Sequence, residues 1–249
     1  MSVDGTNPVR LSFRDVEMVF PDNTHALDGV SFDVRAGEFV TIVGPSGCGK
    51  STLLRIASGL ESATAGSCTV DRKSIGYVFQ DATLLPWRTV EENVALLAEL
   101  QGVDKESRLT AARHVIERVG LTDFADKHPH QLSGGMRMRT SLARSLVTRP
   151  EVFLFDEPFG ALDEITREKL NDDLLKLFVE RRFAGLFITH SIAEAVYMST
   201  RVLVMSQRPG RIVASFDVPF GNERHHDLRY ESAFARLCGD VSHALRSTE

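Results

Sequence analysis

Between residues 11 and 20 apolar and polar side chains alternate (LSFRDVEMVF), and they do so again in VSFDV at 30–34. A period of two puts every second side chain on one face of an extended chain, so both stretches predict half-buried strands. The pattern then changes. GEFVTIVG is an uninterrupted apolar run closed by glycine, which predicts a strand buried on both faces. Directly after it, KSTLLRIASGL repeats apolar residues at helical spacing, so residues 44–49 form the turn between a strand and a helix. Short strands are predicted near SCTV and SIGYVFQ, and from 89 to 148 the chain reads mostly as helices. Strand signals return in VFLFDEP (152–158) and GLFITH (185–190), on either side of a charged helix, DEITREKLNDDLLKLFVERR. RVLVMS and RIVASFDV follow, separated by a Pro-Gly turn. The tail sets Tyr230, Phe234, Leu237, Val241 and Leu245 on one helical face, which predicts packing on the protein's own core.

The simplest architecture for this order is an α/β core interrupted by a helical insertion. The expected organisation is a single domain over 1–249. Its core and β subdomain come from 1–87 and 150–219, a helical subdomain from 88–149 and a helical C-terminal tail from 220–249. At 249 residues, with 43% hydrophobic and 25% charged side chains, the chain can bury a large core. Its net charge of −5 argues against nucleic acid as the main partner. No stretch approaches 18 uninterrupted apolar residues, and MSVDGTNPVR carries no leader pattern. Three scattered cysteines with no CxxC pair suit a reducing, cytoplasmic compartment.

The strand-to-helix turn holds the first candidate chemistry. Gly44, Pro45, Ser46, Gly47, Cys48, Gly49, Lys50 and Ser51, with Thr52 behind them, fit the pattern G-x-x-x-x-G-K-[ST]. Glycine lets successive backbone N–H groups turn inward on a phosphate without Cβ clashes, and the helix N-terminus adds partial positive charge. Lys50 is placed for β- and γ-phosphates and the Ser51 hydroxyl for Mg²⁺. A second signal agrees: four apolar residues run into Asp156 and Glu157, which puts two carboxylates at the C-terminal edge of a sheet. Asp156 suits Mg²⁺, and Glu157 suits the orientation and deprotonation of an attacking water. These motifs predict a P-loop NTPase.

QLSGGM (131–136) opens a helix with Ser133 as N-cap, and Gly134 and Gly135 expose N–H groups there. It is a second anion site about eighty residues from the first, in the helical insertion. A head-to-tail pair of chains, each closing its Ser133 segment over the other's phosphate loop, accommodates both.

Taken in order, the phosphate loop, Gln80 in YVFQD, LSGGM, LFDEP, ALD at 161–163 and His190 in ITHS resemble the ATP-binding subunits of ABC transporters over nearly the whole chain. The resemblance implies a RecA-like P-loop core with an antiparallel β subdomain and an inserted helical signature subdomain. It implies ATP and Mg²⁺ as cofactors. It casts Gln80 as a switch residue reaching Mg²⁺ and the attacking water, and Ser133 and Gly135 as contacts to the partner's γ-phosphate. Asp163 is implied to link two sites across the dimer, and His190 to touch the γ-phosphate and steady Glu157. Phe20 stands where the family usually stacks an aromatic, more often tyrosine, on adenine. Met136 stands where many members carry glutamine and one importer branch commonly carries methionine; Met138 stands where that branch often has glutamine. LLPWRTVEENV, DEPFGALDEITR and RPGRI are similar to importers for nitrate, sulfonates, taurine or pyrimidine precursors. The implied partners are permease subunits, a second copy of the chain and, indirectly, a solute-binding protein, at the cytoplasmic face of the inner membrane. Exporter or lipid-transport use is the first alternative. A DNA-associated ATPase is disfavoured, because the stretch between Thr52 and Leu132 holds no long heptad insertion.

Several residues carry two readings. Trp87 and Arg88 follow the glutamine loop, so Trp87 is either an anchor for a membrane partner or a core residue at a subdomain seam. Cys48, beside Lys50 and a helix N-terminus, is either a thiol of lowered pKa that a maleimide would reach, or a space filler. His128, His130, His225 and His226 lack metal-ligand spacing and are expected in solvated loops. Asp172 and Lys176 are expected on a solvated helix face.

Overall fold

The structure, a computed structural model, describes residues 7–221 and 223–247. The leader-free reading of the chain start falls mostly on residues 1–6, outside the described residues. The alternating N-terminal stretches are β1 (Val9–Val19) and β2 (His25–Arg35), and the uninterrupted run is β3 (Phe39–Val43), followed by α1 (Lys50–Ser58). β4 (Ala65–Val70) and β5 (Ile75–Val78) precede three helices, α2 (Val90–Leu100), α3 (Lys105–Arg118) and α4 (Gly134–Leu146). The chain then runs through β6 (Val152–Asp156), α5 (Glu164–Arg181), β7 (Ala184–Ile188), α6 (Ile192–Met198), β8 (Arg201–Met205), β9 (Ile212–Asp217) and α7 (Ser232–Arg246).

The strands form two sheets. One is antiparallel, ordered β2-β1-β4; the other runs β5-β6-β7-β3-β8-β9, parallel except for the antiparallel edge strand β9. The apolar runs are continuous because the six-stranded sheet is covered on both faces. Phe39, Phe153, Phe155, Phe187, Val202 and Val204 point into a core shared with α2–α7. Their neighbours Val40, Ile42, Leu154, Leu186, Ile188 and Leu203 point into a second core shared with β1, β2 and α1. A period of two thus sends alternate apolar side chains into different cores. In the first, Phe39 lies edge-on to Phe178, with ring centroids 5.2 Å apart, and Phe153 meets Phe183 at 4.5 Å.

Two expectations change in the second half. The charged helix is α5, and it is solvated on one side only: Leu170, Asn171, Leu174, Leu175, Leu177 and Phe178 are buried. Asp172 is half-buried and accepts a hydrogen bond from the Tyr197 hydroxyl at 2.7 Å, so it joins α5 to α6 rather than pairing with Lys176. In the tail, Phe234 and Val241 are buried and Leu237 and Leu245 pack beside them, but Tyr230 is 81% exposed. It falls in a 3₁₀ turn, His226–Tyr230, before α7 begins, and so off the helical face.

Two arginines fasten the tail. Arg229 lies over the Tyr197 ring, 3.4 Å from its centroid, and pairs with Asp172 at 3.5 Å. Arg224 is a half-buried guanidinium with no acidic partner among the described residues. It donates to the carbonyls of Gly221, Val196, Tyr197 and Ser199. The last three close the C-terminal end of α6, where unpaired carbonyls carry partial negative charge. Burial pushes the Arg224 pKa down to about 10.

Candidate nucleotide site

The phosphate loop lies between β3 and α1 as its sequence predicts. Gly49 has a φ of +107°, and a Cβ there would stand 2.7 Å from Leu27 Cδ2 and 2.9 Å from the Ala26 carbonyl, so only glycine fits. Gly49 is also the N-cap of α1 and offers no side-chain hydrogen bond, while α2, α3, α4, α5 and α6 are each capped by a side chain. The first N–H groups of α1 are left for a ligand. Lys50 is buried, and its ammonium donates to the carbonyls of Gly44 and Pro45 at 2.9 and 2.8 Å. Ser46, Gly47 and Ser51 are exposed on the rim, and Thr52 is half-buried.

Neighbouring strands bring the carboxylates alongside. The Ser51 hydroxyl donates to Asp156 Oδ1 at 2.8 Å, and Tyr77 donates to Asp156 Oδ2 at 3.4 Å. Burial holds the Asp156 carboxyl above its ordinary range, and the adjacent Glu157 charge adds to this against the two hydrogen bonds. Glu157 has a φ of 45°, in the left-handed region that a long side chain rarely adopts. Its N–H is tied to the Ile188 carbonyl at 3.0 Å, which pins the turn to β7. Across that strand end, His190 Nδ1 lies 3.1 Å from Glu157 Oε2.

Gln80 lies two residues beyond β5, which pairs with β6, and its side chain is exposed. The loop after it is built from two polar residues that sequence reasoning missed. Asn93 on α2 is fully buried: its side chain accepts from Leu85 N–H and donates to the carbonyls of Leu85, Arg88 and Thr89. Arg144 on α4 donates to the carbonyls of Ala82 and Thr83. The loop is therefore rigidly held with Trp87 70% exposed, which removes the reading of Trp87 as a seam residue. Arg88 is directed back to Glu99 at 3.0 Å, so Trp87 projects without it.

The third group of candidates lies apart. Ser133 caps α4 by accepting from Met136 N–H at 3.3 Å, and Asp163 caps α5 by accepting from Thr166 N–H at 3.0 Å. That N–H holds the Asp163 carboxyl below its ordinary range. The two caps are neighbours: Gly134 faces Leu162, and a Cβ on Gly135 would stand 2.9 Å from Thr166 Cγ2. Among the described residues, no hydrogen bond joins residues 133–136 to residues 44–52.

Comparison with known proteins agrees with this geometry. A family model described as ABC transporter matches residues 27–160. The chain belongs to the ABC transporter ATPase family. This cassette is 44% identical over 239 residues to the taurine import ATP-binding protein of Rhizobium johnstonii, covering 90% of each chain. It is 37% identical over 257 residues to the nitrate import ATP-binding protein of a Synechocystis strain, covering 97% of each. Among solved structures, a dimeric ATP-binding cassette in a post-hydrolysis state with ADP and Pi superposes with a TM-score of 0.74 at 31% identity, covering 85% of this chain and 100% of that one.

The remaining expectations for the cassette resolve individually. Phe20 is half-buried beside the apolar cluster that contains Ala26, Leu27 and Cys48. Cys48 is a filler: it is 1% exposed, it lies under Gly44, and burial pushes its thiol up despite Lys50. Of the two readings, the lowered thiol pKa gives way because desolvation of the thiolate outweighs the nearby ammonium. Met138 is buried in the core, so its replacement of a polar residue concerns packing; Met136 is half-buried at the helix start. His225 and His226 are exposed, whereas His128 is half-buried with a buried, unpartnered Nδ1 and its ring stacked on His130.

Proposed function

We propose that the cassette energises an importer for a small anionic or zwitterionic solute of the taurine or nitrate kind. It works as a head-to-tail pair on the cytoplasmic face of the membrane, against separate permease subunits. The near full-length likeness to the taurine and nitrate import subunits carries this reading. The rigid loop presenting Trp87 supports a permease contact on that side.

The reaction follows from the residues. The phosphates of ATP take the N–H groups of residues 44–52, and Lys50 exchanges its carbonyl contacts for β- and γ-phosphate oxygens. The Ser51 hydroxyl and Asp156 carboxylate are touching hard-oxygen donors, and a cation would favour the ionised Asp156 that burial disfavours, so the donor set fits Mg²⁺. With Gln80, these residues would hold the ion, which supplies charge neutralisation on the phosphates. Glu157 accepts a proton from water as the water oxygen bonds to the γ-phosphorus; the bond to the β,γ-bridging oxygen breaks, leaving ADP and phosphate. His190 holds Glu157 through Oε2. Ser133 and the N–H of Gly135 from the second copy cover the γ-phosphate, and Asp163, beside them, faces the seam between copies.

Two experiments test this. Ser133→Arg in a Glu157→Gln background is expected to leave ATP affinity of the monomer within about threefold, but to abolish the ATP-dependent dimer on size-exclusion chromatography. A dimer that persists removes Ser133 from the interface. Reconstituted with its permease and binding protein, the cassette is expected to hydrolyse ATP faster when taurine or nitrate is supplied. Hydrolysis indifferent to both, with transport of another solute, overturns the solute class alone.

A further inference from the structure

At the edge of the parallel sheet opposite the phosphate loop, the chain enters β6 through Arg149 and β7 through Arg181 and Arg182. Arg181 ends α5, while Arg149 and Arg182 follow α4 and α5 with φ of 52° and 49°. Glycine closes a helix in this left-handed conformation most easily, so arginine there carries backbone strain. A cation at a helix C-terminus ordinarily serves the open carbonyls, as Arg224 does for α6. The side chains of Arg149, Arg181 and Arg182 do not: among the described residues they make no hydrogen bond and no ion pair.

Two cavities meet at these arginines. The larger, about 600 Å³, lies between α3, the end of α4 and Arg181, and the smaller, about 300 Å³, between Arg10, Arg182 and the chain entering β6. Arg149 and Arg181 line both. The larger has the volume of a small-molecule site, with Val115, Leu146 and Val147 giving it an apolar side and Thr110 a hydroxyl. Its charge is one-sided. Arg118 pairs with Glu180, and Arg10 with Glu151 at 2.8 Å, so these cancel. The carboxylate that remains, Glu106, lies in the first turn of α3. The Arg118–Glu180 pair fixes the opposite end of α3, about 18 Å of helix away, next to Arg181. Burial lowers the Arg181 pKa, and the Arg118 and Arg149 charges lower it further.

We infer that the larger cavity binds a small organic phosphate, its phosphoryl group between the guanidiniums of Arg149 and Arg181 and its organic part against Val115, Leu146 and Val147. Guanidinium forks match oxyanion geometry. Two of them without a facing carboxylate match a phosphomonoester, which carries close to two negative charges at neutral pH, better than a singly charged sulfonate or carboxylate. The ligand ties α3 and α4 of the helical insertion to α5 of the core. It does so at the ends of α4 and α5 far from Ser133 and Asp163, and no residue of 44–52 lines the cavity. The site is thus separate from the nucleotide site and independent of the roles proposed there.

Phenyl phosphate and benzenesulfonate, which share a ring and differ in charge, are the probes. The nucleotide site also takes phosphate, so the cassette is first saturated with Mg²⁺ and a non-hydrolysable ATP analogue. Isothermal calorimetry at pH 7.5 is expected to show one phenyl phosphate per chain with a Kd below about 1 mM, and benzenesulfonate at least about fivefold weaker. Arg149→Gln and Arg181→Gln are each expected to weaken phenyl phosphate about tenfold, and the double variant to abolish its binding. Arg113→Gln removes an exposed charge from α3 outside the cavity and is expected to leave binding within about twofold. Without ligand, Arg181→Gln is expected to keep or raise the Tm, because like charges are separated. Absent binding, binding unchanged in the double variant, or equal weakening by Arg113→Gln overturns the site. A lowered Tm in Arg181→Gln with unchanged binding makes the arginine structural and does the same. Benzenesulfonate binding as tightly as phenyl phosphate overturns the phosphate assignment. Co-sedimentation with phosphatidate vesicles, lost in the double variant, overturns a soluble ligand in favour of a lipid headgroup.

Discussion

Glu157→Gln is expected to lower steady-state ATP hydrolysis by about 10²- to 10⁴-fold, the range that a positioned general base contributes. The amide matches the carboxylate in shape, and its oxygen can still meet His190 Nδ1, 3.1 Å from Oε2 in the parent. It cannot take the proton of the attacking water. Ground-state binding uses other groups, chiefly residues 44–52, so ATP affinity is expected to change by less than about threefold. If hydrolysis is the step that reopens the proposed head-to-tail pair, the variant is expected to accumulate as an ATP-bound dimer, visible by size-exclusion chromatography. The backbone matters to this choice of residue. With φ at 45° the turn is already strained, and a β-branched replacement would confound lost chemistry with lost fold. Near-normal turnover in the glutamine variant would remove Glu157 from the role of base.

Lys50→Met is expected to weaken ATP binding by about two orders of magnitude. The ammonium donates at 2.9 and 2.8 Å to the Gly44 and Pro45 carbonyls, so it is already inside the cradle and reaches a bound phosphate with little rearrangement. Two charge-assisted hydrogen bonds to phosphate contribute about 1.5–3 kcal/mol each, of which the loss of about 3 kcal/mol gives a Kd roughly 10²-fold higher. The fold tells the opposite story. Lys50 is 6% exposed and has no acidic partner among the described residues, so a methionine of similar length removes a buried charge without opening a cavity. The Tm without nucleotide is expected to stay the same or rise. Isothermal calorimetry and a thermal melt on one preparation check both halves. A lower Tm with unchanged Kd would make Lys50 structural.

What the sequence made legible follows the range of the physics involved. The phosphate loop and the Asp156–Glu157 pair were readable because their signals are contiguous: an apolar strand, then glycines or carboxylates at its C-terminal end. The contact of His190 with Glu157 was implied by family resemblance and is now a distance of 3.1 Å, whereas the hydrogen bond from Ser51 to Asp156 is visible only in the fold, the sequence having assigned each separately to Mg²⁺. Asn93 and Arg144 were missed because each is one polar residue within a helical pattern, and only the folded loop reveals four carbonyls or amides turned toward Asn93. Arg224 was missed for the same reason, since its partners are main-chain atoms that leave no mark in composition. Cys48 was left with two readings because adjacency to Lys50 is visible in sequence, while burial beneath Gly44, which decides for the filler, is not. At seven residues α6 is too short for helical periodicity to stand out, and Tyr230 fits a helical phase that the chain does not adopt until Ser232.

The position of β3 in its sheet bears on how the cassette is made. β3 pairs with β7 on one side and β8 on the other, and neither exists until residues 184–205 have been synthesised. During translation the strand that leads into the phosphate loop, apolar except for Thr41 and with both edges unpaired, waits for partners more than 140 residues downstream. Such a segment is a template for aggregation until it is covered. Yield from the ribosome should therefore depend on chaperone protection of the FVTIV segment. ATP, whose cradle needs β3 seated between β7 and β8, should rescue only chains that are already complete.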